Sequence, residues 1–84
     1  MVVEFREPVE MITCFRDGEV IPCRFRWRAK VHRVDRVSSS WESRVGAYKH
    51  YHFLLRTTDD DVYELHFDSY ALRWVLDFEY RDGA

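Results

Sequence analysis

Residues 14–28 read CFRDGEVIPCRFRWR. Asp17-Gly18 lies between two stretches of β-like residues, which is a strong hairpin signal. Beyond it Cys23, Phe25 and Trp27 share one parity, and Arg24, Arg26 and Arg28 share the other. In a strand these sets face opposite sides, so the first set is expected in a core and the arginines outside it. Pro22 lies near the start of this second strand and implies an edge or a bulge there.

The same period runs along the rest of the chain. A first strand is expected over 8–15, with Pro8 at its start, and a second over 19–28. "RAK" (28–30) turns the chain. In "VHRVDRVSSSWE" (31–42), Val31, Val34, Val37 and Trp41 have helix-like spacings of three and four. Valines and three consecutive serines are poor helix material, so a bulged strand is expected instead. "SRVGAY" (43–48) reads as a loop, "KHYHFLLRTT" (49–58) as a strand, and "DDD" (59–61) as a turn. "VYELHFD" (62–68) directs Tyr63, Leu65 and Phe67 inward. After a turn at 69–72, "RWVLDFEY" (73–80) directs Trp74, Leu76, Phe78 and Tyr80 inward and Arg73, Asp77 and Glu79 outward. About six short strands with frequent turns indicate an all-β antiparallel fold, a small barrel or a strongly curled sheet.

The 84 residues suit one domain, with its ordered part over about 7–82. A core of this size is marginal, and the 17% aromatic content compensates in part. No apolar run is long enough to span a bilayer, and acids stand where a signal peptide would be basic, so a cytoplasmic protein without a membrane partner is expected. Cys14 and Cys23 are expected as free thiols in a reducing compartment.

Catalytic signatures are missing. The three glycines form no phosphate loop, and Ser38, Ser39 and Ser40 lack a nucleophile-elbow setting. Asp77 and Glu79 read as a charged outer strand face. His50, His52 and His66 could share a face of adjacent strands, but cross-strand surface histidines are the simpler reading, and no metal or cofactor is expected. The chain is therefore read as non-enzymatic.

Charge is uneven. Net charge is −2, yet residues 24–58 carry nine Lys or Arg against Asp35 and Glu42. Arg24, Arg26, Arg28, Lys30, Arg33 and Arg36 are candidates for contact with a DNA or RNA phosphate backbone, with His50, His52 or Tyr48 as added stacking surface. The opposing reading pairs these arginines with Glu64, Asp77 and Glu79 across the sheet.

"EPVE", "RFRWR", "VHRVDRVSSSW", "YKHYHFLLRTTDDDVYELHFD" and "RWVLDFEYRD", in that order, resemble a small bacterial β-domain family. A related form ends the catalytically inactive Y-family polymerase homologue of mutagenic repair complexes. The resemblance rests on Phe25, Trp27, Trp41, Tyr51, Tyr63-Glu64-Leu65 with Asp68, and Trp74, Leu76, Tyr80 and Asp82, and covers about residues 7–82. "RAK" departs from the family's glycine-containing turn. The resemblance implies an all-β fold and a link to DNA repair or replication, and it carries no catalytic residue. Two functions are expected from these readings. One is a nucleic-acid-binding domain or a support for a repair complex. The other is a protein-interaction module, a homodimer or an adaptor to repair-complex proteins.

Overall fold

The computed structural model describes residues 1–82. Six antiparallel strands follow one another around a closed barrel: β1 (Val2–Arg16), β2 (Glu19–Trp27), β3 (Lys30–Val45), β4 (Tyr48–Thr57), β5 (Val62–Asp68) and β6 (Arg73–Tyr80). Each strand pairs with its neighbour in sequence, and β1 closes the ring on β6. No helix of the described residues is long and apolar enough to cross a membrane.

β1 is longer than the expected 8–15 because it serves two partners. Its first half pairs with β6 from Val2 to Val9, and its second half with β2 from Glu10 to Arg16. Pro8 therefore lies inside the strand, near the point where β1 changes partner. A missing N–H is tolerated at such an irregular point.

Alternation fills the barrel. Phe25, Phe53, Leu55, Tyr63, Leu65, Phe67, Trp74 and Leu76 form its core. Buried Trp74 and half-buried Trp27 keep their indole donors paired: Trp27 Nε1 donates to Glu7 Oε1 at 2.8 Å, and Trp74 Nε1 to Thr13 Oγ1 at 3.0 Å.

Bulges decide where simple alternation fails. Ile12 opposes Arg24 and Thr13 opposes Pro22, so Cys23 is the extra residue on β2. Pro22 is buried and Cys23 is exposed, the reverse of the expected parity. On β6, Leu65 opposes Leu76 and Glu64 opposes Phe78, which leaves Asp77 extra. Beyond that point the faces exchange. Phe78 now opposes outward Glu64, Glu79 opposes inward Tyr63 and is half-buried, and Tyr80 is exposed, so the expected assignment of Phe78, Glu79 and Tyr80 is corrected. Asp77 keeps the outer side but is only 2% exposed, covered by His66 and Arg6.

The helix-like spacing in β3 has the same origin. Irregularities between Val34 and Arg36 and between Val37 and Ser39 make this a bulged strand. The strand continues through Ser43–Val45, where a loop was expected, and turns at Gly46-Ala47. Gly46 has φ of 63°, a conformation that favours glycine and closes a two-residue turn. The 28–30 turn is also tight. Arg28 and Ala29 both have positive φ, 51° and 62°, without a glycine.

Candidate functional site

Phe25 opposes His32 across β2 and β3, and both point into the barrel. The flanking pairs therefore point outward. Arg24 stands opposite Arg33, and Arg26 opposite Val31. Beyond the bulge at Asp35, Arg36 stands opposite Arg56 of β4. The outer face of β2, β3 and β4 thus carries Arg24, Arg26, Arg33, Arg36 and Arg56, all exposed. Among the described residues, the first four make no ion pair, and Arg56 reaches Asp60 only at 3.8 Å.

The remaining two sequence candidates are engaged. Arg28 Nη2 lies 2.9 Å from Glu7 Oε2, its Nε donates to Glu7 Oε1 at 3.2 Å, and its guanidinium lies over the rings of Phe5 and Trp27. The Arg28 and Trp27 donors hold the Glu7 carboxyl below the usual carboxylate range. Lys30 Nζ lies 3.5 Å from Asp59 Oδ2. Glu64, Asp77 and Glu79 are not partners of the arginine row. They contact Tyr80, His66 with Arg6, and Arg81 respectively. Arg56 was not legible as a site residue, because only the β3–β4 register brings it opposite Arg36.

A second constellation crosses five strands on the outer face. Arg6 of β1 and Asp77 of β6 are 3.4 Å apart, and His66 Nδ1 of β5 lies 2.7 Å from Asp77 Oδ2. His52 of β4 stands opposite His66, with ring centroids 5.4 Å apart. Trp41 of β3 stacks on His52 at 5.3 Å and 2°. His50 stacks on His66 at 4.7 Å. Ser43 Oγ and His52 Nε2 are 2.8 Å apart, while His52 Nδ1 is buried without a hydrogen-bond partner. Burial pushes the His52 imidazole below its ordinary value, and the neighbouring His66 adds to this. The expected cross-strand histidines are present. The sequence placed Asp77 on an outer strand face but did not reveal that His66 and Arg6 meet it and bury it there.

Cys14 and Cys23 are free and exposed. No protein-family model, curated protein or solved structure matches this chain.

Proposed function

We propose that this chain is a non-enzymatic β-domain that binds nucleic acid through phosphate contacts on the outer face of β2, β3 and β4. One observation carries the reading: two arginine pairs, Arg24 with Arg33 and Arg36 with Arg56, stand directly opposite each other on that face. Like charges in such positions destabilise a sheet. A phosphate between two guanidiniums reverses the sign through charge-assisted hydrogen bonds. Trp41, 42% exposed, adds a stacking platform on the outward side of the same two-strand ribbon. Contacts of this kind read backbone charge and not base identity. The resemblance to a repair-linked β-domain points in the same direction.

The test is titration of fluorescent single- and double-stranded DNA and RNA at two salt concentrations. Binding should weaken steeply with salt. Arg24, Arg26, Arg33 and Arg36, each changed to Ala, should lower the log–log salt slope by about 0.7–0.9 for every phosphate left without its guanidinium. Arg28→Ala, which removes an arginine already held by Glu7, should change the slope least. Absence of binding at low salt, or binding unchanged by the fourfold Ala variant, overturns the reading.

A second reading, the interaction module, has its own observation. Glu19–Cys23 of β2 pair with β1 alone, and β3 beyond Arg33 pairs with β4 alone. The cleft between these two unpaired edges is lined by Val20, Pro22, Val37, Trp41, Tyr51 and Phe53. An extended segment of a second copy could add there by strand pairing. Sedimentation showing a strict monomer at high concentration removes this homodimer.

A further inference from the structure

The His52–His66–Asp77 cluster contains none of the arginines of the arginine surface, meets it only where Trp41 stacks on His52, and does not depend on its function. One donor atom from each of the three residues lies within 4.8 Å of the other two. They come from β4, β5 and β6, three adjacent strands whose pairing fixes their separation. Two imidazoles and a carboxylate are a donor set suited to zinc and similar divalent transition ions. In a tetrahedral shell with bonds of about 2.0–2.2 Å, donors sit about 3.3–3.5 Å apart. Small side-chain rotations close the remaining gap.

Two features point to a ligand. Ser43 occupies His52 Nε2, and the remaining ring nitrogen, Nδ1, is buried without a partner. Such an atom ordinarily has a hydrogen-bond partner, and a bound cation would satisfy it. Asp77 is almost fully buried, held between His66 at 2.7 Å and Arg6 at 3.4 Å. It lies on the outer face of β6, beside the outer face of β5 that carries His66.

We propose that His52, His66 and Asp77 form a three-ligand site for a divalent transition ion of the zinc class. The ion takes the place of the proton between His66 Nδ1 and Asp77 Oδ2, and the neutral His66 ring keeps its one proton on Nε2 as the other tautomer. The ion also takes the lone pair of His52 Nδ1. The fourth tetrahedral position is left to water, as in open zinc sites. Arg6, on the far side of Asp77, opposes the cation by charge and orients the carboxylate.

The exposed thiols of Cys14 and Cys23 are the competing ligands, so the experiment uses the full-length chain carrying Cys14→Ser and Cys23→Ser. Chelator-stripped protein is titrated with Zn²⁺ by calorimetry. One equivalent should bind. His52→Ala and His66→Ala should each weaken binding by more than the roughly 10–100-fold that loss of an outer-shell partner costs. Because a variant could fail to fold, imidazole nitrogen NMR of the cysteine-free chain is read in parallel. His52 and His66 should shift up to one equivalent of Zn²⁺, and core His32 should not. Loss of binding with the cysteines, unchanged affinity in the folded histidine variants, or unshifted His52 and His66 resonances overturns the proposal.

Discussion

Arg24 and Arg33 are directly opposed across β2 and β3, point to the same outward side, and have no ion-pair partner among the described residues. Their neighbours Phe25 and His32 are locked inside the barrel, so neither arginine can leave the face without a change of register. The sheet holds a like-charge pair that costs stability in isolation.

Arg33→Gln is therefore expected to stabilise the free protein by about 0.2–1 kcal/mol. For a domain of this size that is a rise in Tm of roughly 1–8 °C. The gain should shrink at high salt, which screens exposed charges. Thermal melts at two ionic strengths check this. An equal loss of stability at both would mean that Arg33 is held by a contact stronger than the repulsion.

His32 sets a pH dependence. It is 3% exposed, stacks on Phe25 at 4.9 Å, and neither ring nitrogen has a hydrogen-bond partner. Burial, with Lys30 adding to it, lowers its affinity for a proton; Asp61, Asp59 and Glu79 oppose this more weakly. The unfolded chain then binds a proton that the folded chain refuses. The stabilising share of His32 is complete above the ordinary histidine value, about 6.5, and is lost as pH falls from there through the depressed folded value. His32→Phe should flatten the slope of stability against pH below about 6.5. It should leave stability near neutral pH equal or higher, since it removes two unpaired polar atoms. Urea unfolding at a series of pH values measures both.

The β2–β3 turn carries removable strain. Ala29 has φ of 62°, and a side chain in that conformation costs about 1–2 kcal/mol. Glycine relieves this and adds some unfolded-state entropy, so Ala29→Gly should stabilise by about 0.5–1 kcal/mol. The same change at Ala47, which is not among the positive-φ residues, should destabilise. The two denaturation midpoints should move in opposite directions.

Leu65 is fully buried at the centre of the core, opposite Phe53 and Leu76. Leu65→Ala should cost about 2–5 kcal/mol. That is a large share of the roughly 5–15 kcal/mol typical of a whole domain, so the midpoint in urea should fall sharply. A cost below about 1 kcal/mol would mean that the barrel repacks around the cavity.

The sequence by itself determined the all-β fold, most strand positions and the aromatic core. Period-two alternation and turn residues such as Asp17-Gly18 act locally and can be read one strand at a time. It also marked the arginines of β2 and β3. The tertiary structure alone decided which of them are free. Glu7 captures Arg28 from 21 residues away, and β4 contributes Arg56 opposite Arg36. It also decided the faces of Cys23 and Phe78, because Pro22 can announce an irregularity in β2 but only the register between two strands says which residue is extra. The polar row from Arg6 to Trp41 is likewise tertiary. Its members are far apart in the chain and meet only because neighbouring strands pair in this register and β1 closes the barrel on β6.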